Sequence, residues 1–209
     1  MNKIFLILIF ITLFFSCGKD KSKDKEPGLL DAIEGISDLN KMAKEVENLE
    51  EENDKLLKAT PISNEKLKVL LPEELIGFTR KTFTIGNQFM PDVAMAEAEY
   101  ENENGNIISL SIMDGAGETG SAMITLARLG FARDFEEQSE RGYKKSTKIN
   151  GYKAIEEVEE DDYSDDLNSK IDLLISKRFI VSLEGQSIPV EQLKKAVDQI
   201  KLGVLNDIN

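Results

Sequence analysis

The stretch YKKSTKINGYKAIEEV, residues 143–158, gives the clearest indication of the fold in this sequence. Asn150 and Gly151 are the residue pair that tolerates the positive φ angles of a type I′ turn, which joins two antiparallel strands directly. Such a turn fixes the register at Ile149 opposite Tyr152, Thr147 opposite Ala154, Lys145 opposite Glu156, and Lys144 opposite Glu157. The last two pairs join opposite charges across the strands, so the turn and the charges predict the same hairpin.

A second hairpin is predicted on the N-terminal side of the first. Residues 94–101, AMAEAEYE, alternate small or aromatic side chains with longer ones, which is the period of a strand. The chain turns near Asn104 and Gly105 and returns as IISLSIM, residues 107–113. Further strands are predicted at residues 79–85, 171–175 and 179–183. The last two runs are apolar enough to lie at the centre of a sheet.

Helical periodicity and capping residues indicate three helices in the same region. Ser63 is a good N-cap for a helix that ends before Pro72. The other two helices are predicted over 121–135 and 190–202, the latter with Pro189 near its first turn. This order of elements predicts an α+β fold, an antiparallel sheet of about six to seven strands with helices packed on one face, preceded by an N-terminal helix.

Shifts in composition divide the chain into four segments. They are a signal peptide over residues 1–16, a lipidated flexible tether over 17–28, a helical segment over 29–60 and an α+β globular domain over 61–209. The tether is polar and charged and closes with proline and glycine, which predicts a flexible linker.

The first segment has the layout of a secretory signal peptide. Lys3 supplies a positive start, an almost unbroken apolar run follows over residues 4–15, and the small residue Ser16 precedes Cys17. The apolar run is too short to span a bilayer, which needs about 20 residues. The processed protein therefore needs another anchor to stay at a membrane.

Residues 13–17, LFFSC, resemble the lipobox of bacterial lipoproteins, matching it at Ser16 and Cys17 and placing Phe14 where leucine is most usual. The resemblance implies cleavage before Cys17, a diacylglycerol thioether on its sulfur and an acyl chain, such as palmitate, on its new amine. Each buried CH₂ contributes about 0.8 kcal/mol, so these chains would hold the protein at a membrane. Cys17 is the predicted lipidation site, and an ordinary secreted protein with a free thiol is the alternative.

The residues after Cys17 bear on the location of the protein. Gly18 stands where lipoproteins of enteric type that stay at the inner membrane have aspartate, which favours the outer membrane, on its periplasmic face or at the cell surface. The run KDKSKDKE, residues 19–26, resembles the charged tethers that serve some Bacteroidota lipoproteins as a surface-export signal. A solvated spacer explains this run equally well.

Composition excludes several classes of function. A formal net charge of −13 argues against nucleic-acid binding, which needs clustered Lys and Arg. Cleavage before Cys17 would remove only one charge, that of Lys3, and make the mature chain more acidic. The single cysteine leaves no disulfide, and the absence of histidine removes the usual general base and the commonest metal ligand. No catalytic residue, cofactor or metal is predicted.

A heptad-like pattern runs through the helical segment, with Asn53 at one a position. Its members are Leu39, Met42, Val46, Leu49, Asn53 and Leu56. The pattern allows a helix packed on its own domain, an exposed stalk, or a strip for self-association or partner binding. In a parallel homodimer Glu45 would face Glu50, so the charges do not favour self-association, and the oligomeric state stays undetermined.

Two motifs invite a ligand interpretation. Gly115, Gly117 and Gly120 in DGAGETG match the GxGxxG pattern of dinucleotide sites. The preceding strand belongs to an antiparallel hairpin, so a flexible loop between strand and helix is favoured instead. The acidic run over 156–166 offers carboxylates to calcium but lacks the spacing of a calcium loop, so a solvated hairpin end or connecting loop is favoured.

These features predict a lipid-anchored cell-envelope protein with a non-catalytic binding or structural role. Its partners would be the membrane, through the lipid, and an envelope protein or small ligand. The alternative is a lipid-anchored hydrolase that uses carboxylates without histidine. The sequence contains no tryptophan, a residue that commonly lines sugar clefts, and this also favours the first prediction.

Overall fold

The computed structural model describes residues 50–161 and 166–208. These residues form nine antiparallel strands in one sheet. The strands are β1 (Glu74–Leu75), β2 (Phe78–Ile85), β3 (Met95–Glu101), β4 (Ile107–Asp114), β5 (Glu136–Ser139), β6 (Gly142–Ile149), β7 (Tyr152–Glu160), β8 (Leu167–Ile175) and β9 (Phe179–Gly185).

Helices precede, interrupt and follow the strands. They are α1 (50–58), α2 (Asn64–Val69), α3 (Gly117–Phe131), α4 (Val190–Val197) and α5 (Gly203–Asn206). The Ser63 side chain accepts a hydrogen bond from the Lys66 backbone N–H at 3.4 Å, so the predicted N-cap of α2 is confirmed.

The strand order across the sheet is β1-β2-β3-β4-β9-β8-β7-β6-β5. From β1 to β4 the chain runs from one edge of the sheet toward its centre, and from β5 to β9 it runs from the other edge toward the centre. The central strand, β9, pairs with β4 and β8. The two apolar runs predicted to be central are β8 and β9, and this prediction is confirmed. The α+β class with an antiparallel sheet is likewise confirmed.

The hairpin of β6 and β7 has the register that its turn predicts. Asn150 and Gly151 have φ angles of 53° and 83°, as a type I′ turn requires. All four predicted pairs face each other, including Lys145 with Glu156 and Lys144 with Glu157. The local turn therefore fixes the position of every side chain along both strands.

The predicted number of six to seven strands is wrong, because the sheet has nine. The two additional strands are its short edges, β1 with two residues and β5 with four. Neither has an apolar alternation long enough to predict a strand, and all four residues of β5, Glu-Glu-Gln-Ser, are exposed. Short edge strands are held by pairing with their neighbour, which local sequence does not reveal.

One face of the sheet packs against the main apolar core. Inward residues of the central strands, such as Leu110, Leu173 and Val181, share one buried cluster with residues of α2, α4 and α5. Burying these side chains supplies the main driving force for folding, at about 25 cal/mol per Å² of apolar area. The core lies between the sheet and these three helices.

The prediction of helices on one face only is wrong for α3. Lys153 on β7 donates to the carbonyl of Phe131 at the end of α3. A Cβ added to Gly130 would contact the Ile155 side chain at 3.7 Å. Lys153 and Ile155 alternate with the buried Ala154, so α3 covers part of the opposite face.

Two predicted helices have different ends in the structure. The helix predicted over 121–135 runs from Gly117 to Phe131, because Phe135 leaves it to exchange hydrogen bonds with Ser146 on β6. The helix predicted over 190–202 ends at Val197, after which the chain makes tighter turns into α5. In the first case a contact distant in sequence outweighs helical periodicity.

Candidate functional site

The predicted anchor lies outside the described residues. Cys17, the signal peptide over 1–16 and the tether over 17–28 all precede residue 50. None of the helices in the described part of the chain is long and apolar enough to cross a bilayer.

The described end of the helical segment packs on its own domain. Asn53 Oδ1 accepts a hydrogen bond from Thr125 Oγ1 of α3 at 3.2 Å, and Leu56 is buried. The last two heptad positions therefore face the domain and not a second helix. The other heptad positions, Leu39, Met42, Val46 and Leu49, lie outside the described residues.

Glu52 adds a charged contact between α1 and the domain. It forms an ion pair with Arg128 of α3, which is 8% exposed, and another with Lys177 at 2.5 Å. Burial lowers the pKa of the Arg128 guanidinium. Because a buried cation needs a nearby anion, Glu52 links the position of α1 to that of α3.

The GxGxxG match is a packed junction and not the flexible loop that was predicted. Gly115 follows β4, and Gly117 and Gly120 lie in the first turns of α3. A Cβ on Gly115 would come within 2.7 Å of the Ile124 side chain and 2.8 Å of the Arg178 carbonyl oxygen. Glycine is needed here for close packing of helix and strand, and not for approach to a phosphate.

Asp114, at the end of β4, is the centre of a buried polar cluster. Its Oδ1 and Oδ2 accept from Arg178 Nε and Nη2 at 2.7 and 2.9 Å. The backbone N–H groups of Ala116 and Ile62 donate to the same carboxylate at 3.0 and 2.8 Å, and Arg178 also donates to the Thr60 carbonyl at 2.7 Å. This Asp114 cluster, formed by the residues just named, joins the chain after α1 to the sheet.

No motif in the sequence predicts the Asp114 cluster, although one signal of it is present. Ile108, Leu110 and Ile112 alternate on the buried face of β4, and Asp114 continues that phase. A carboxylate at an inward position is rarely left without a cation or several hydrogen bonds. The alternation thus indicated that Asp114 would have a buried partner but not that the partner would be Arg178.

The acidic run does not form a single loop. Residues 156–160 belong to β7, and residues 162–165 lie outside the described residues. Glu156 and Glu157 point to opposite faces of the sheet, and Glu157 pairs with Lys144 at 2.8 Å. In the described part of the chain, no three Asp, Glu, His or Cys side chains are arranged to hold a metal ion.

Glu156 forms a second buried polar cluster, between β6, β7 and α4. The carboxylate is 2% exposed and accepts a hydrogen bond from the Tyr143 hydroxyl. Lys194 on α4 lies 2.8 Å from it and Lys145 on β6 lies 3.5 Å from it. These four residues are called the Glu156 cluster below.

Opposing effects set the pKa values in the Glu156 cluster. Burial raises the pKa of Glu156, but the hydrogen bonds from Lys194 and Tyr143 and the charges of the lysines outweigh it, so that the pKa lies below the ordinary 4.5. Burial, followed by the hydrogen bond to Glu156, raises the pKa of the Tyr143 hydroxyl to about 12. The cluster therefore holds an ionised carboxylate and a protonated phenol at neutral pH.

A mainly apolar groove of about 390 Å³ lies beside the Glu156 cluster. Its lining includes Tyr143, Val158, Leu167, Ser169, Pro189 and Val190. Ser169 Oγ is buried and has no hydrogen-bond partner among the described residues. A groove of this size and polarity suits a small apolar group better than a charged one.

The opposite face of the sheet forms a larger and more polar cleft of about 620 Å³. Glu97, Glu99 and Glu184 line it together with Lys170 and several hydroxyl side chains. Glu99 accepts from Thr82 at 3.2 Å, and Glu184 lies 2.6 Å from Lys170. Two of the three carboxylates thus have partners on neighbouring strands of the same open face.

Asp172 lies on β8 beside this cleft. Burial raises its pKa, although the hydrogen bond from Ser182 at 2.5 Å and the charge of Lys170 oppose that shift. Carboxyl groups with a raised pKa occur at functional sites and also in buried structural networks. Here the partners are all on the strands themselves, which fits the structural interpretation.

No protein-family model, curated protein sequence or solved structure matches this chain.

Proposed function

We propose that this chain is a lipid-anchored cell-envelope protein whose α+β domain has a non-catalytic binding or structural role. The observation that supports the proposal is Cys17, which stands alone in the chain at the border between an apolar leader and a charged run. Three acyl chains on that residue would suffice for stable anchoring, since two lipid signals already do so.

The polarity of the chain explains why such an anchor is needed. The body is strongly acidic, with a net charge of −13, and anionic lipid headgroups repel it. Neither charge nor a spanning helix of the described region would keep the domain at a membrane. The lipid does so, while the polar tether separates the domain from the bilayer.

A binding role agrees better with the site geometry than hydrolysis does. Carboxylate-based hydrolysis needs two acids that converge on one bond, about 5–10 Å apart, with different pKa values. In the polar cleft, Glu99 and Glu184 are held by Thr82 and Lys170 on an open sheet face. Such a face presents hydrogen-bonding groups to a partner without enclosing a reacting bond.

The anchor is tested by changing Cys17 to alanine. The unchanged protein should incorporate labelled palmitate and enter the detergent phase on Triton X-114 partition, and the Cys17→Ala variant should do neither. A matched control combines Cys17→Ala with Ser22→Cys, which restores a thiol at the wrong distance from the leader. If either variant still partitions into detergent, the lipidation proposal fails.

Location is tested at the residue after the anchor. In an enteric host, density-gradient separation of membranes should place the unchanged protein in the outer membrane. The Gly18→Asp variant should move to the inner membrane, because aspartate there acts as the retention signal in lipoproteins of that type. An unchanged protein found in the inner membrane would contradict the outer-membrane location while leaving the lipid anchor intact.

A further inference from the structure

In the part of the chain that the structure describes, half of β2 has no partner strand on its outer side. The strand has eight residues, but β1 pairs only with its first two, Phe78 and Thr79. On its inner side, β3 pairs with β2 as far as Ile85. Among the described residues, no strand pairs with the outer side of residues 82–85, which are called the β2 edge below.

The ladder between β2 and β3 shows which backbone groups face outward. The Gly86 N–H donates to the Met95 carbonyl at 2.8 Å, so these two residues form a hydrogen-bonded pair. Such pairs alternate along antiparallel strands, which makes Thr84 the next residue bonded to β3. The N–H and C=O groups of Phe83 and Ile85 therefore point away from β3, toward the open side.

The outward N–H of Arg80 supports this assignment. The Arg80 side chain lies on the same face of the sheet as that of Phe83. The Arg80 N–H donates to the Glu73 carbonyl at 2.9 Å, on the outer side of β2. The pairing of β2 with β3 then has a register shift between Arg80 and Thr82, and the pairs with β1 lie before it. Beyond this shift, no residue in the described ranges gives the outer backbone groups of the strand such a partner.

The two outer edges of the sheet differ in their protection. At β5 the edge is short and carries Glu136 and Glu137, features that discourage pairing with another strand. Along the β2 edge the sequence is Thr-Phe-Thr-Ile, uncharged and rich in residues that favour strands. Phe83 is 44% exposed there. An edge of this kind is a template for adding an extended segment.

The charges around the β2 edge indicate the chemistry of that segment. Although the whole chain is acidic, the Phe83 ring has two cations over it, Lys68 Nζ at 5.3 Å and Arg80 Cζ at 4.9 Å from its centroid. Lys81 is exposed next to them. On the other face of the sheet, Glu97 and Glu99 lie opposite Thr84 and Thr82. A strand added here would meet positive charge on one face and negative charge on the other.

We propose that the β2 edge binds an extended acidic segment of a partner protein by strand addition. The segment hydrogen-bonds to the outward groups of Phe83 and Ile85 and places its carboxylates on the face of Lys68 and Arg80. Its alternate side chains, on the same face of the sheet as Glu97 and Glu99, are uncharged. This inference deepens the binding role proposed above by giving it a surface and a kind of partner, and it does not depend on the lipid.

The test uses the chain with Cys17→Ala and a synthetic peptide of eight residues, the length of β2, that alternates glutamate and threonine. Hydrogen exchange is followed at single amides by NMR. Saturating peptide should slow exchange about tenfold or more at Phe83 and Ile85, and leave Thr84, already bonded to β3, little changed. A peptide with N-methyl groups on alternate residues should give no protection, because it cannot complete the ladder. Equal binding by the methylated peptide, or protection located elsewhere, would overturn the proposal.

Charge reversal separates the cationic face from general electrostatics. Lys68→Glu should weaken binding of the glutamate peptide at least about fivefold. Lys66→Glu is the matched control and should change binding much less. Lys66 is exposed on α2, but it lies two positions before Lys68 and therefore points in another direction. Equal weakening by the control would contradict the proposed orientation.

Other occupants of the β2 edge give different results. If a second copy of the chain pairs there, Phe83 and Ile85 will be protected without peptide, and the protection will increase with protein concentration. If residues 1–49 of the same chain pair there, the protection will be independent of concentration. Either result overturns the proposal, and neither affects the test of Cys17.

Discussion

Two buried carboxylates, Asp114 and Glu156, lie on the inward side of the same sheet and are stabilised in different ways. Asp114 is fully buried and has a bidentate bond to Arg178, which is itself 4% exposed, and two backbone N–H donors. Glu156 is held by a phenol and by Lys145 and Lys194, whose side chains are about one-third exposed.

The two clusters differ in whether water can replace a lost partner of the carboxylate. Asp114 is fully buried and Arg178 almost so, and losing one partner therefore leaves a buried charge without compensation. The lysines of the Glu156 cluster already contact water, and Lys194 has a second acidic partner in Glu191 at 2.7 Å. We therefore expect the Asp114 cluster to act as a structural joint and the Glu156 cluster to respond to pH.

Arg178→Met gives the largest expected effect. It leaves the Asp114 carboxylate buried with only backbone donors, and breaking a buried pair in this way costs about 3–5 kcal/mol of unfolding free energy. Urea unfolding followed by circular dichroism measures the loss. A cost no larger than that of Glu156→Gln would mean that the Asp114 cluster contributes no more to stability than the Glu156 cluster does.

Adding Asp114→Asn to Arg178→Met sharpens the same test. The amide removes the uncompensated charge and keeps one oxygen as an acceptor for a backbone N–H. We expect the double variant to be more stable than Arg178→Met alone. If it is less stable, the lost arginine acted through packing and not through its charge.

The contrast between local and distant contacts also explains how much the sequence predicts. Asn150 and Gly151 specify their hairpin because the turn and both strands are adjacent in the chain. Arg178 and Asp114 are 64 positions apart, and no pattern in the sequence joins them. Asp114 on β4 and Glu156 on β7 both occupy positions where the alternation places a buried side chain. The alternation therefore shows that each carboxylate needs a partner, but it does not identify the partner.

One sequence signal indicates that a helix such as α3 covers part of the second face of the sheet. Strict alternation predicts one buried face, but Leu173, Leu174 and Ile175 on β8 form a continuous apolar run. Such runs are typical of strands covered on both sides. The edges β1 and β5 had no comparable signal, and the outward groups of the β2 edge followed only from the ladder with β3.

Glu156→Gln should have a smaller effect than Arg178→Met. The substitution removes the charge that faces Lys145 and Lys194 but keeps an acceptor for Tyr143. Because a hydrogen bond to a charged group contributes about 1.5–3 kcal/mol, we expect a loss of that size in the free energy of unfolding. Urea unfolding at pH 7 provides the value. A loss as large as that of Arg178→Met would remove the distinction between the two clusters.

The pH dependence of stability should distinguish the Glu156 cluster at both ends of the range. The folded-state pKa of Glu156 is lowered, so its contribution is present above the ordinary value of 4.5 and is lost as the pH falls through the lower folded value. Tyr143 has a raised pKa of about 12, so its contribution is present below the ordinary 10.0 and is lost as the pH rises from there toward 12.

Single variants can test whether Glu156 causes the loss of stability in acid and Tyr143 the loss in alkali. Urea unfolding of Glu156→Gln across pH 3–6 should show a shallower acid decline than the unchanged protein, and Tyr143→Phe across pH 9–12 a shallower alkaline decline. Parallel curves for variant and unchanged protein would show that other groups dominate the pH dependence.

Glu157→Gln should give the smallest effect and is the matched control for Glu156→Gln. Glu157 is the next residue on β7 but points to the open face, where it pairs with Lys144 at 2.8 Å and both side chains are about one-third exposed or more. Exposed pairs of this kind contribute about 0–1 kcal/mol, and salt screens them. A double-mutant cycle with Lys144→Ala should therefore give a coupling energy that falls toward zero in high salt. Because the two glutamates share a strand and a hairpin, any difference between them measures the effect of facing the core instead of the solvent.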